Sequence, residues 1–150
     1  MRCKLMAASD GIAVGPYDRR DGEHVQALLR LLSQDAVVTC EDAPTYVAKS
    51  AGCVVGMVTL CVFNTLTGTK AYLDHLVVDP DFRRRGIGRA LVRHAIEQAA
   101  AAGASRIDLT ANDEKQAGRG LYHSLGFRQR DTRSLRLNLA APSDASRQER

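Results

Sequence analysis

The chain has no tryptophan, and only 5% of its 150 residues are aromatic. It also lacks any recognisable zinc-ligand spacing and any second basic run as dense as the one at 83–89. Little is left for stacking on bases, so no nucleic-acid partner is expected. The four cysteines, Cys3, Cys40, Cys53 and Cys61, form no C-x-x-C pair and have no histidines at ligand spacing. No metal site is expected from them. Cys53 and Cys61 lie in an apolar run, where reduced, buried thiols in a reducing compartment are the expected state. The longest apolar run, 53–63, is too short to span a bilayer. The opening MRCKLMAASDG carries basic residues but no apolar segment of a secretory signal. A cytoplasmic protein with no membrane partner is expected. There is no internal repeat and no sign of a second domain.

What remains is ordinary for a globular domain: 45% hydrophobic and 25% charged residues. The length suits one domain with a sizeable core. A net charge of +4, from 21 basic and 17 acidic residues, favours anionic ligands in general without naming one.

Residues 11–17 read as a short strand ended by Pro16. Asp18 or Asp21 can cap a helix over about 21–34, where Val25, Leu28, Leu29 and Leu32 repeat at helical spacing. Residues 35–44 carry no clear pattern. Two strands, 46–48 and 53–63, join through Ser50-Ala-Gly52, and a third runs over 70–79. A helix over 86–102 follows, with Gly88, Leu91, Val92, Ala95, Ile96 and Ala99 on one side, as on a helix lying against a sheet. Residues 106–110 read as a strand, 113–125 as a helix, and 127–130 with 134–139 as a final antiparallel pair. The expected fold class is α/β: a single mixed, mostly antiparallel sheet with one parallel β-α-β step, flanked by helices. The domain spans 11–139, between an N-terminal extension (1–10) and a small, polar, disordered tail (140–150).

One stretch carries chemistry: Asp79-Pro-Asp-Phe-Arg-Arg-Arg-Gly-Ile-Gly-Arg89. A strand stops before it and a helix begins at its Gly-x-Gly. The start of a helix leaves N–H groups unpaired and a partial positive charge, which together hold anions. Glycines let a phosphate approach the backbone, and arginines add charge-assisted bonds. Leu91 stands where a dinucleotide fingerprint needs its third glycine, and no G-K-[ST] follows.

Arg83-x-x-Gly86-x-Gly88, after Leu76-Val-Val-Asp-Pro80, resembles the acetyl-CoA signature R/Q-x-x-G-x-G/A of the GNAT acetyltransferases. Ala117-Gly-Arg-Gly-Leu-Tyr-His-Ser-Leu-Gly-Phe127 resembles the same family's A-x-x-x-L-Y-x-x-x-G-F segment, and the order of elements agrees over about 11–139. The resemblance implies a GNAT fold and an N-acetyltransferase taking acetyl-CoA as acyl donor and an amine as acceptor, without a metal. It implies that the backbone of Leu76, Val77 and Val78 holds pantetheine in a gap between parallel strands. It places the diphosphate on Arg83, Arg84, Arg85, Gly86, Ile87, Gly88 and Arg89, with N–H groups of Arg85 to Arg89 as donors. Tyr122 matches the family's general acid, whose unperturbed pKa of about 10 keeps it protonated at neutral pH. Where the family often has an asparagine three residues before that tyrosine, this chain has Arg119. Asn112 lies earlier, and both join the candidate cofactor contacts.

A base is needed because an alkylamine of pKa about 10.4 is neutral in only about one molecule in 2,500 at pH 7. Asp74 falls where many members carry a glutamate and is the candidate base, with His75 or water as alternatives. On a regular strand Asp74 shares a face with Tyr72, Leu76 and Val78, and His75 shares the other with Leu73 and Val77. Polar groups in so apolar a run ask for a reason. Other readings are a CoA-binding sensor without catalysis and an acyltransferase for longer acyl-CoA. A homodimer is a candidate assembly.

Overall fold

The computed structural model describes residues 11–39, 43–111 and 116–139. The N-terminal extension, Asn112 and the tail from 140 lie outside them. Five strands form one sheet in sequence order: β1 (Ala13–Pro16), β2 (Thr45–Ser50), β3 (Cys53–Thr65), β4 (Gly68–Val78) and β5 (Ile107–Leu109). The first four pair antiparallel, and β4 pairs parallel to β5. Helix α1 (Gly22–Leu32) covers one face, α2 (Ile87–Ala101) makes the parallel crossover on the other, and α3 (Gln116–Ser124) follows β5.

Each face is sealed by one amphipathic helix. Val25 and Leu28 of α1 pack with Val47, Val54, Met57 and Val77. Ile87, Leu91, Val92, Ala95 and Ala99 of α2 pack with Ala48, Val55, Val58, Leu60, Ala71 and Leu73. Each large side chain so buried contributes about 1.5–3 kcal/mol. Gly56 sets how close α2 can come: a Cβ there would lie 3.1 Å from Leu91 Cδ1 and 3.2 Å from Ile87 Cγ2. The entry to α1 is fixed by polar contacts. Asp18 accepts from the Arg20 N–H at 2.9 Å, and the nearly buried Asp21 meets Lys49 Nζ of β2 at 2.8 Å.

Two expectations fail. No strand forms over 127–130 or 134–139 among the described residues. Alternation specifies a face but supplies no partner, and Leu135, Leu137 and Leu139 all remain exposed. Nor are the thiols as expected: Cys53 is disulfide-bonded and Cys61 is free but exposed. That removes Cys53 from the argument for a reducing compartment. No helix among the described residues is long and apolar enough to cross a membrane.

Candidate active site

The site begins with a departure from strand regularity. Thr59 of β3 stands opposite Asp74, and Met57 stands opposite Val77, so one residue of β3 faces two of β4. This β-bulge turns His75 to a positive φ of 50°. The Asp74 carboxylate supports it, accepting the His75 backbone N–H at 2.8 Å. Past the bulge the alternation slips by one. Leu73, Leu76 and Val78 all pack with the α2-side core, while Val77 packs on the α1 side. The faces expected of a regular strand are therefore corrected: Asp74 does not share one with Leu76 and Val78. Asp74 and His75 are turned to solvent, with side chains 56% and 46% exposed, so neither carries a burial cost. The rings and carboxylate are loosely paired, His75 Nδ1 lying 3.9 Å from Asp74 Oδ2.

The bulge also ends the parallel ladder. β4 and β5 pair only through Ala71–Ile107, Tyr72–Asp108 and Leu73–Leu109. Tyr72 and Thr110 clasp the last rung, hydroxyl to hydroxyl at 2.8 Å. From Asp74 to Val78, β4 runs on with no β5 partner, leaving a gap in the parallel ladder on that side.

The arginine loop lies at the far end of this gap. Asp79 accepts from the Asp81 N–H at 2.9 Å and starts a short 3₁₀ turn, Pro80–Phe82. Phe82 is buried beneath it, with the Arg85 guanidinium 5.1 Å from its ring centroid. Arg84 and Gly86 both adopt left-handed backbone, at φ +64° and +78°. Gly86 is the N-cap of α2 and provides no side-chain cap. The first-turn amides of α2 are thus left without the side-chain acceptor that usually satisfies one of them. Gly88 brings the three elements together: a Cβ there would lie 3.8 Å from Val78 and 3.4 Å from Leu121 of α3.

The arginines divide by role. Arg83 Nε donates to the Val78 carbonyl at 3.2 Å, Arg85 to the Asp81 carbonyl at 3.3 Å and Arg89 to Ser124 Oγ at 2.7 Å. These three brace the loop against β4 and α3. Arg84, a left-handed residue, is exposed to solvent. Arg119 is exposed on α3 and is already partnered within the chain.

Tyr122 stands on α3, edge-on to Phe127 with ring centroids 5.6 Å apart. Burial, and secondarily the negative charge of Asp74, pushes its phenol above the usual tyrosine range. It therefore holds its proton through neutral pH. The influence of Asp74 on that phenol links two candidates that stand 48 positions apart in sequence.

One part of the surroundings is not evident from the motifs. Thr59 is nearly buried opposite Asp74, and its hydroxyl meets that of Thr45 at 3.2 Å, so a polar row crosses β2, β3 and β4. Its outer end borders a cavity of about 440 Å³ lined by Tyr17, Asp18, Arg19, Pro44, Thr45 and Tyr46. A second cavity, of about 370 Å³, starts at Gly86 and follows α2 past Arg89, Arg93 and Glu97. Neither is lined by Asp74 or Tyr122. Among the described residues no cluster of three metal-type side chains occurs.

Comparison with known proteins bears on the family and the fold. A 58-residue stretch is 40% identical to the [Ribosomal protein bS18]-alanine N-acetyltransferase of Escherichia coli strain K12, covering 39% of this chain and 39% of that protein. The chain thus matches well under half the length of that curated relative. The solved ribosomal-protein-alanine N-acetyltransferase of Brucella melitensis biovar Abortus has the same fold, with TM-score 0.71 and 24% identity over 87% of this chain and all of the other. So has an aminoglycoside N-acetyltransferase solved in complex with CoA, with TM-score 0.74 and 14% identity over 91% of this chain and 100% of that one. The model of the acetyltransferase (GNAT) family matches residues 15–127, from β1 through α3. A split parallel pair, an uncapped helix start at its end and a tyrosine beside it are thus features of a chain that belongs to the acetyltransferase (GNAT) family.

Proposed function

We propose that this protein is an N-acetyltransferase that moves an acetyl group from acetyl-CoA to a primary amine of a small molecule or a protein. The observation that carries the reading is the gap beyond the Leu73–Leu109 rung, flanked by Tyr122 and closed by the bare α2 start. Left-handed backbone at Arg84 and Gly86 is the kind of conformation in which successive amides form an anion-binding nest, as a diphosphate requires. Ile87, Gly88 and Arg89 supply first-turn amides there, and Arg84 adds charge from outside. The Val78 carbonyl already accepts from Arg83. Pantetheine contacts at Leu76, Val77 and Val78 therefore fall to strand groups engaged by neither Arg83 nor β3. Asn112 and Arg119 remain candidates for a further CoA contact.

The amine nitrogen attacks the thioester carbonyl carbon, a C–N bond forms, and the C–S bond breaks. Asp74, solvent-facing beside the gap, takes the amine proton directly or through water. Tyr122 gives its phenolic proton to the departing thiolate. Positioned acid–base groups of this kind contribute roughly 10²- to 10⁴-fold. The bS18-alanine enzyme's name points to a protein α-amine as one acceptor class to try.

The test is release of free thiol from acetyl-CoA over a panel of small amines and peptide N-termini, beside calorimetry with CoA. Binding with turnover supports the reading. Binding with background thiol release across the panel makes the protein a CoA sensor instead. Greater turnover with longer acyl-CoA would reassign the donor, and no binding would remove the diphosphate cradle itself.

A further inference from the structure

Helix α3 carries Tyr122 yet has little of its own to hold it in place. It is nine residues long, and from Gly118 to Ser124 no residue is fully buried. Helices α1 and α2, by contrast, each seat buried side chains on the sheet. So short a helix is marginal by itself and depends on its surroundings. Two contacts stand on either side of Tyr122. Leu121 lies against Gly88, where a Cβ would be 3.4 Å from its Cδ2. Ser124, the last residue of the helix, accepts a hydrogen bond from Arg89 Nη2 at 2.7 Å. Both partners belong to the first turn of α2.

The Ser124 hydroxyl is used in both directions. While it accepts from Arg89, it donates to the Leu121 carbonyl at 2.7 Å. A hydroxyl has one proton to give, so this pairing fixes its rotor. A cation on one side and a carbonyl on the other polarise it the same way, which strengthens both bonds. The Leu121 carbonyl belongs to the peptide leading into Tyr122, so the chain from Arg89 through Ser124 ends on the tyrosine's own backbone. The turn after the helix closes on the same residue: the Leu125 and Phe127 N–H groups donate to the Tyr122 carbonyl at 3.1 and 3.0 Å. Arg89 stands where a cation is otherwise poorly placed, since a helix start carries partial positive charge. Its guanidinium has five N–H donors and gives one to Ser124, so an anion at the α2 start can take others without undoing the clasp.

We propose that Ser124 is a positioning residue: clasped between Arg89 and the Leu121 carbonyl, it fixes the end of α3 on the α2 start and so sets where Tyr122 stands. The proposal rests on the acetyl-transfer reading, in which Tyr122 gives its proton to the departing thiolate. The Ser124 hydroxyl is spent on Arg89 and Leu121, so it acts only through the tyrosine.

The experiment is a double-mutant cycle on turnover, with Ser124→Ala and Tyr122→Phe made singly and together. Ser124 is exposed, so its truncation leaves no cavity and the melting midpoint should barely move. Misplacing a reacting group by about 1 Å can cost roughly 10²-fold, and a loss routed through Tyr122 cannot exceed the loss of its own hydroxyl. Ser124→Ala should therefore lower kcat by about 5- to 10²-fold, with KM for acetyl-CoA within about twofold of wild type. In the Tyr122→Phe background the same change should cost less than about twofold. Ser124→Thr keeps the hydroxyl and should restore most of the rate. Equal losses in the two backgrounds would overturn the proposal, as would a wild-type kcat in Ser124→Ala or a change in KM alone. Failure of the acetyl-transfer reading looks different, because the wild type itself then releases no thiol with any amine. Amide exchange decides the clasp in that case. The Leu125 and Phe127 amides should exchange faster in Ser124→Ala than in the wild type or Ser124→Thr, and equal exchange would overturn it.

Discussion

Gly86 offers the most direct test of the diphosphate cradle, because there a side chain disturbs the ligand without crowding the protein. A Cβ built at this position meets nothing within 4 Å, so a side chain such as that of Gly86→Val starts in open space. Its φ of +78° is the remaining obstacle. An L residue in left-handed backbone costs roughly 1–2 kcal/mol. For a domain of this size that lowers the melting midpoint by about 2–8 °C, which is measurable and survivable. If the valine holds the loop, its branches occupy the side from which a phosphate must approach; if the loop relaxes, the first-turn amides of α2 turn away. Either route loses at least one hydrogen bond to a charged group, worth about 1.5–3 kcal/mol. CoA affinity should therefore fall about 10- to 150-fold. Calorimetry with CoA at a temperature well below the variant's midpoint gives the answer. A dissociation constant within about twofold of the wild type, beside the expected loss of stability, would refute binding by these amides.

Tyr122→Phe should lower turnover about 10- to 10³-fold and leave CoA affinity nearly unchanged, and a wild-type rate would end its role as proton donor. Because burial and Asp74 raise the Tyr122 pKa, the phenol stays protonated below about pH 10. Its ionisation should limit turnover only above that, and the stability its neutral form contributes is likewise lost as pH rises through the raised value. Asp74→Asn removes both the base and the charge beside Tyr122. The acid-side limb of the rate profile should move or vanish, and phenol titration followed near the tyrosinate absorbance should show one group ionising at lower pH. An unaltered profile would reassign the base to His75 or water. Gly56→Ala pushes a methyl to within 3.1–3.2 Å of Leu91, Ile87 and the Val77 carbonyl. It should cost about 1–3 kcal/mol in denaturant unfolding, and a neutral result would mean that α2 shifts freely on the sheet.

Much was set by local pattern alone. Helical spacing from Val25 to Leu32 and from Gly88 to Ala99 finds α1 and α2, since an amphipathic face has one way to be buried. The Arg83-x-x-Gly86-x-Gly88 loop and the Leu121-Tyr122 segment are legible for the same reason: backbone conformation and family pattern both reside in neighbouring residues. Where the chain departs from regular geometry, legibility ends. The only trace of the bulge in the sequence is the polar pair Asp74-His75 interrupting an apolar strand. That its cause is an extra residue opposite Val58 depends on β3, a neighbour some fifteen positions away, so strand parity past residue 74 comes out inverted when read locally. The same long-range pairing decides that the β4–β5 ladder stops after Leu73, which leaves that edge of β4 open. It also decides that Asp74 meets water rather than core.

The last strand marks the same boundary from the other side. Its alternation is plain in Ser134–Leu139, because period two needs only consecutive residues. Whether it forms depends on a partner elsewhere in the fold, and among the described residues it pairs with none. The sequence alone thus determined which segments prefer which backbone and where an anion can be held. The tertiary structure alone decided which strands meet and for how long, because hydrogen-bond register is a relation between segments and is written in neither of them.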